Sequence, residues 1–185
     1  MNIKKKSTII KKRKILSCQK GLLLWFTGLQ GAGKSTLAHR LEIELHNKGY
    51  LTTIINENNL KNLGLTTEFN TENIKKIGEI AKLFVDREII TISTFISPYK
   101  NDREKIRNLF KNSDFMEIYV KCSFEILKSR EEKGLFKKIN TNEFYNFSAR
   151  YEEPVNPEIT LNTSILTIEE CLKILLIYLE KKGVE

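Results

Sequence analysis

The residues best suited to chemistry form one glycine-rich stretch, GLQGAGKS, at positions 28–35. It fits the pattern G-x-x-x-x-G-K-[ST], in which glycines let the backbone curl until its amide hydrogens point inward at phosphate oxygens. Lys34 would neutralise the β and γ phosphates of a nucleotide, and the Ser35 hydroxyl would ligate Mg²⁺. We therefore predict a phosphate-binding loop (P-loop). Its predicted nucleotide-binding residues are Gly28, Leu29, Gln30, Gly31, Ala32, Gly33, Lys34, Ser35 and Thr36.

The segments around this loop alternate between strand and helix patterns. Before it, residues 22–27 form a continuous apolar run, typical of a strand buried on both faces. After it, apolar residues at helical spacing predict a helix over residues 34–48, which Gly49 ends. Similar signals predict strands at 51–55, 89–95 and 115–120, and helices at 72–87, 102–110, 124–131 and 168–182. This alternation predicts the α/β class, with a parallel sheet covered by helices on both faces.

Two of the predicted helices carry capping signals at their starts. The pattern Thr167-x-x-Glu170 fits a capping box before the last helix. Asp102 is expected to cap the helix that follows the third strand. In both cases a side-chain oxygen would accept hydrogen bonds from the first free backbone amides of the helix.

Length and charge bound the domain organisation. With 185 residues, 41% of them hydrophobic, the chain is predicted to form one kinase-sized domain over residues 21–185. The formal charge of +8 arises in residues 1–20, which hold eight basic residues and no acidic ones; the remainder has 23 of each. We interpret this basic arm as a solvated leader. Nucleic-acid binding through the arm is the alternative, and it would show a steep salt dependence.

The cysteines and the hydropathy pattern bear on the expected location. Cys18, Cys122 and Cys171 are widely spaced, which indicates neither a disulfide framework nor a zinc site. The sequence shows no secretory-signal core and no apolar run of membrane-spanning length. A cytoplasmic protein without a membrane partner is therefore expected.

A P-loop alone does not distinguish a small-molecule kinase from a switch GTPase or a motor fragment. The sequence lacks the N-K-x-D guanine signature of GTPases. It resembles adenylylsulfate kinase in five segments that follow the family's order: LWFTGLQGAGKST, ENIKKIGEIAKLF, FISPYKNDRE, KGLFKK and YEEPVNPEITLNT. The resemblance implies the P-loop nucleoside triphosphate hydrolase fold, ATP and Mg²⁺ as cofactors, and phosphorylation of the 3′-hydroxyl of adenosine 5′-phosphosulfate. It leaves a homodimer open.

The resemblance also implies roles for the residues of FISPY and for one helix residue. Ser97 matches the family serine that is able to carry a phosphoryl group, and it lies where a predicted strand ends, the edge at which ligands of such sheets bind. Phe95, Ile96 and Tyr99 would line the acceptor pocket. Asn73 matches a family asparagine at the substrate.

Further implied residues come from the later part of the chain. Lys133, Gly134 and Leu135 begin the segment KGLFKK, which matches the family's mobile lid over both nucleotides. Closure of a lid excludes water and so protects the γ-phosphoryl group from hydrolysis. Arg130 would lie beside the ATP adenine. Phe147 would stack on the adenosine of the acceptor.

The chain departs from the family pattern after the second strand. Where the family carries D-G-D-N-x-R, this sequence has NENNLK at positions 56–61. Asn56 and Asn58 replace both aspartates, and an amide oxygen cannot serve as a general base. Asn59 keeps the family's asparagine and is assigned to the substrate. Lys61 replaces the arginine, which keeps the charge and loses the bidentate fork.

Glu57 is the carboxylate nearest to these changes and is the candidate general base. Strand alternation would point it away from Asn56 and Asn58 unless the backbone has already turned there. Two more departures fall on the acceptor side: Leu65 where the family has a stacking phenylalanine, and Asn70 where it has an arginine.

Three hypotheses follow from these observations. The first is adenylylsulfate kinase activity with catalysis by positioning and charge neutralisation. The second is a nucleotide-binding relative with weak or no kinase activity that acts as a regulatory or partner subunit. The third is a P-loop kinase for another small anionic acceptor.

Overall fold

The computed structural model of the chain describes residues 19–62, 71–111, 113–133 and 150–184. Five strands form its centre: β1 (Leu22–Thr27), β2 (Thr52–Asn56), β3 (Ile90–Thr94), β4 (Phe115–Lys121) and β5 (Ile159–Asn162). They form one parallel sheet in the order β2-β3-β1-β4-β5. The strand that leads into the P-loop is therefore the central one, which places the loop at the middle of the sheet's carboxyl edge.

Helices cover both faces of this sheet. They are α1 (Lys34–Asn47), α2 (Glu57–Asn62), α3 (Thr71–Val85), α4 (Lys100–Arg107), α5 (Phe124–Glu132) and α6 (Ile168–Lys181). Buried residues of α1, α5 and α6 pack in one core cluster, and those of α2, α3 and α4 pack in a second. The predicted α/β class, with helices on both faces of a parallel sheet, is confirmed.

The central strand explains why its sequence is apolar throughout. All six residues of β1 are buried, and its side chains alternate between the two cores. Leu24 and Phe26 face the α1 side, whereas Leu23 and Trp25 face the α3 side. A strand that contributes to two hydrophobic cores has no solvated face on which polar residues would be tolerated.

The two capping predictions have opposite outcomes. At α6, Glu170 N donates to Thr167 Oγ1 at 3.2 Å and Thr167 N donates to Glu170 Oε2 at 2.8 Å, so the capping box is confirmed. The Asp102 cap is wrong. Helix α4 begins at Lys100 with Tyr99 as its N-cap, so Asp102 is its third residue, buried and 3.4 Å from Lys105 Nζ.

Two elements, α2 and β5, were not predicted from the sequence. Most of the basic arm, and residues 134–149, lie outside the described residues. None of the helices in the described segments is long and apolar enough to cross a membrane.

Candidate active site

The P-loop turns where β1 ends, at backbone conformations that favour glycine. Gly28 has φ 144°, and a Cβ added there would lie 2.3 Å from the Val120 carbonyl oxygen of β4. Gly33, with φ 102°, is the N-cap of α1. Because other residues reach such φ values only with strain, these glycines fix the curl that aims the loop amides and the helix N-terminus at one point.

Lys34 is the first residue of α1, and its side chain folds back over the loop. Its Nζ donates hydrogen bonds to the Gly28 and Leu29 carbonyl oxygens at 2.8 and 2.9 Å. Burial lowers the pKa of Lys34 from 10.5 to about 8, and the charge of Glu57 opposes that change. The ammonium thus has two neutral acceptors and one nearby carboxylate, and phosphate oxygens would be stronger partners than the two carbonyls.

The P-loop is held from behind by α5 and by the residue after β5. Thr163 Oγ1 donates to the Ala32 carbonyl at 2.8 Å. Arg130 donates from Nη1 to the Gly31 carbonyl at 3.0 Å and from Nη2 to the Thr163 carbonyl at 2.7 Å. These bonds tie the loop to two other elements, so its shape is set before any ligand arrives.

A cavity of about 710 Å³ opens at the carboxyl edge of the sheet. It is lined by Gln30, Gly31, Ala32, Gly33, Lys34, Ser35, Thr36, Leu37, His39, Asn56, Glu57, Thr94, Ile96, Arg130, Thr163, Leu166 and Ile168. The predicted P-loop residues 30–36 therefore share one space with three other predicted site residues, Glu57, Ile96 and Arg130. Its volume is within the range of small-molecule sites.

The end of β2 explains how Glu57 comes to line the cavity. Asn56 N donates to Asn59 Oδ1 at 3.2 Å, and Asn59 N donates to Asn56 Oδ1 at 3.0 Å, which is a reciprocal cap on α2. Because the helix starts at Glu57, the strand alternation that would separate Glu57 from Asn56 does not apply. Both residues line the cavity, as expected for the case in which the backbone has already turned at Glu57.

Ser97 lies in the turn after β3, with φ 41° and a fully buried side chain. Its hydroxyl accepts a hydrogen bond from Trp25 Nε1 at 3.0 Å and donates one to Thr27 Oγ1 at 3.0 Å. Ser97 is not among the cavity-lining residues, whereas its neighbour Ile96 is. The assignment of Ser97 as a phosphoryl carrier stays a prediction; in this conformation its hydroxyl fixes the turn to the central strand.

A buried guanidinium holds the same turn from the other side. Arg103 donates to the Ser97 carbonyl at 2.7 Å, the Pro98 carbonyl at 3.1 Å and the Glu152 carbonyl at 2.6 Å. Its Nε lies 2.7 Å from Glu117 Oε1. Because every one of these partners accepts hydrogen bonds, the buried charge is satisfied and the turn is fixed to β4 and to residue 152.

The remaining predicted site residues are spread around this cavity. Phe95 is buried and stacks on Trp25 with ring centroids 5.6 Å apart. Tyr99 is the N-cap of α4, Asn73 lies in the first turn of α3, and Lys133 is the C-cap of α5. None of these four lines the cavity. Asn58 and Lys61 are in α2, but their side chains are outside the described part of the chain, as are Leu65, Asn70, Gly134, Leu135 and Phe147 entirely.

Several cavity residues were missed by sequence reasoning. Thr94 ends β3, beside the predicted P-loop strand, and its position at a strand's carboxyl end was an available signal. His39 lies on α1, and its position in the sequence gives no signal that separates it from a solvated helix residue. Thr163 and Leu166 follow β5, a strand that was not predicted, and Ile168 is the first residue of the predicted last helix; no local pattern placed these three residues beside the loop.

Comparisons with known proteins agree with this geometry. The family model described as adenylylsulphate kinase matches residues 20–162. The adenylyl-sulfate kinase of Clostridium kluyveri is 46% identical over 178 residues, which cover 92% of this chain and 89% of that protein. The adenylyl-sulfate kinase of Thermodesulfovibrio yellowstonii is 48% identical over 172 residues, which cover 88% and 86%.

Solved structures extend the likeness to three dimensions. The Mycobacterium tuberculosis APS kinase in complex with AMPPNP and APS matches with a TM-score of 0.75 and 27% identity, covering 88% of this chain and 99% of that one. A hexameric APS kinase from Thiobacillus denitrificans matches with a TM-score of 0.67 and 26% identity, covering 90% of this chain and 30% of that one. These matches confirm the P-loop kinase fold. With the family match over most of the sequence, the chain belongs to the adenylylsulfate kinase family.

Proposed function

We propose that this protein is an adenylylsulfate kinase, which transfers the γ-phosphoryl group of ATP to the 3′-hydroxyl of adenosine 5′-phosphosulfate. The product would be 3′-phosphoadenosine 5′-phosphosulfate, as sulfate assimilation requires. The observation that carries the proposal is the shared cavity, in which the P-loop with Lys34 and Ser35 faces the carboxylate of Glu57. Phosphate binding and a proton acceptor are the two functions that such a transfer needs from a protein.

On the donor side, the P-loop amides and Lys34 would bind the β and γ phosphates of ATP. The Lys34 ammonium would exchange its two loop carbonyls for phosphate oxygens and neutralise the charge that develops on them. Arg130, which lines the cavity beside Gly31, is proposed to lie by the adenine.

The residues present also fit a magnesium ion. Mg²⁺ takes oxygen ligands and keeps several of its waters, and the cavity offers the Ser35 hydroxyl, the Glu57 carboxylate and the Asn56 amide. The ion would be held by Ser35 and by the phosphates, and when bound it supplies charge neutralisation. Glu57 and Asn56 would meet its water shell.

On the acceptor side, Glu57 is proposed as the general base. The 3′-oxygen attacks the γ-phosphorus, its proton passes to the Glu57 carboxylate, and the bond to the β–γ bridging oxygen breaks to leave ADP. Asn56 could not take this proton, because an amide oxygen is not basic and its Oδ1 already accepts from Asn59 N. Catalysis otherwise rests on holding the two nucleotides in line.

One observation in the same site favours two alternatives. Asn56 stands where the family has an aspartate, and it serves α2 as a cap, which favours a relative with weak turnover or with another small anionic acceptor.

We further propose that the protein works in the cytoplasm as a homodimer.

The test is a coupled assay with ATP and Mg²⁺, with and without adenosine 5′-phosphosulfate, in which the product is identified by mass. Formation of the 3′-phosphorylated product supports the proposal. ATP binding without acceptor-dependent ADP release would refute it in favour of a weakly active relative. ADP release with a different sulfated or phosphorylated compound would refute it in favour of another acceptor.

A further inference from the structure

One buried polar atom in the cavity has no partner. Thr94 is only 4% exposed, yet its Oγ1 makes no hydrogen bond to any residue that the structure describes. The hydroxyls around it are all bonded: Thr27, Ser93 and Ser97 each pair with a neighbouring strand or turn. A buried hydroxyl without a partner costs stability, so an unpaired one at the wall of a ligand cavity points to a ligand as its missing partner.

The position of Thr94 in the sheet narrows the choice of that partner. It is the last residue of β3 and is in register with Phe26 of β1 on one side and with Asn56 of β2 on the other. It therefore lies between the strand that leads into the P-loop and the strand that leads into Glu57. Ile90 and Ile92, which share its face of the strand, pack in the α1 core, so Thr94 lies on the side from which α1 presents Ser35.

We propose that Thr94 is a positioning residue for magnesium: its hydroxyl accepts a hydrogen bond from a water of the Mg²⁺ that accompanies ATP. The inference rests on the proposed function, because it requires MgATP in this cavity. Mg²⁺ dehydrates reluctantly and is held in proteins largely through its waters, so neutral oxygens around it matter as acceptors. Thr94 offers such an oxygen without competing with Ser35 for the ion itself.

The test compares Thr94→Val, which removes the hydroxyl at nearly constant shape, with Thr94→Ser, which keeps it. ATP affinity is measured by titration calorimetry with saturating Mg²⁺ and again with EDTA. Thr91→Val is the matched control, because Thr91 is buried on the same strand and its hydroxyl donates to the Ile89 carbonyl. Thermal unfolding of the ligand-free proteins gives a readout that is independent of the nucleotide.

For Thr94→Val we expect MgATP affinity to fall about fivefold to tenfold, the effect of one lost hydrogen bond, while ATP affinity in EDTA stays unchanged. Ligand-free Thr94→Val should melt about 2 to 4 °C higher, because an unsatisfied buried group has been removed. Thr94→Ser and Thr91→Val should keep the native ratio of the two affinities.

Equal losses with Mg²⁺ and with EDTA would overturn the inference, as would no loss in either condition. A native protein whose ATP affinity does not depend on Mg²⁺ would also overturn it. If the native protein binds no ATP, the proposed function itself fails, which is a separate result from the one that concerns Thr94.

Discussion

Replacing Lys34 by methionine is expected to stop phosphoryl transfer and, in the same step, to stabilise the ligand-free protein at neutral pH. The side chain of Lys34 is buried, and burial lowers its pKa from 10.5 to about 8. At 1.36 kcal/mol for each pKa unit, this corresponds to about 3 kcal/mol against the charged form. Methionine has a similar length and no charge, so it removes that cost.

Two lost hydrogen bonds offset part of this gain. Lys34 Nζ donates to the carbonyls of Gly28 and Leu29, and each bond contributes about 0.5 to 1.5 kcal/mol to folding. The net gain of the variant at pH 7 is therefore about 0 to 2 kcal/mol. For a chain of this length, that corresponds to a rise in melting temperature of up to about 8 °C.

The stability gained by Lys34→Met should decrease as the pH rises. Between pH 8 and 10.5 the unfolded chain holds the Lys34 proton and the folded chain does not, so the free energy of unfolding of the native protein rises with pH across that window. Below pH 8 the full cost of the buried charge is present. The stability advantage of Lys34→Met should thus be largest below pH 8 and should disappear by about pH 10.

The assay is thermal unfolding of both proteins at pH 7 and pH 10, with ATP turnover measured in parallel. Lys173→Met serves as the control, because Lys173 is an exposed lysine on α6 and its loss should change stability by less than about 0.5 kcal/mol. A variant that melts lower than the native protein at pH 7, or a difference that is the same at both pH values, would refute the reasoning that the Lys34 charge is held at a cost.

Three further predictions concern the acceptor side and the loop. Glu57→Gln should lower kcat about 10² to 10⁴-fold, because a positioned base is lost. The control variant Glu79→Gln, at an exposed position of α3, should keep the native kcat in the same coupled assay. Asn56→Asp should raise kcat by adding a second proton acceptor, with no change in melting temperature, because Asn and Asp cap helices about equally well. An unchanged rate would show that a carboxylate at position 56 adds nothing to the role of Glu57. Gly28→Ala should abolish ATP binding in calorimetry, since its Cβ would lie 2.3 Å from the Val120 carbonyl oxygen; native affinity would contradict this.

The elements that were predicted correctly are those whose residue pattern follows from a single physical requirement, such as burial on both faces or a positive φ. Residues 22–27 are apolar throughout because β1 is buried on both faces, and the glycines of the P-loop occur where positive φ values demand them. The donor side of the cavity follows directly, because a strand, a glycine loop and a helix are contiguous in the chain. A local sequence pattern was therefore sufficient to predict the donor side of the cavity.

The acceptor side was less predictable because the sequence does not show whether a residue there belongs to a strand, to a helix or to a helix cap. Asn56 looked like a lost acid and Asn59 like a retained substrate residue, yet together they cap a helix that was not predicted, and that helix brings Glu57 to the cavity. Asp102 has the composition of a cap, but the helix starts two residues earlier and buries it. β5 has only four residues, too few for its alternation to be recognised.

The contacts made by the last quarter of the chain have a consequence for the order of folding. Thr163 reaches back 131 residues to the P-loop carbonyl of Ala32, and Glu152 reaches back 49 residues to Arg103. Such distant contacts close large loops and form late. A nascent chain that stops before residue 150 lacks the Thr163 bond to the P-loop and the Glu152 carbonyl that Arg103 binds, so the loop and the Ser97 turn gain their last anchors only after β5 has joined the sheet.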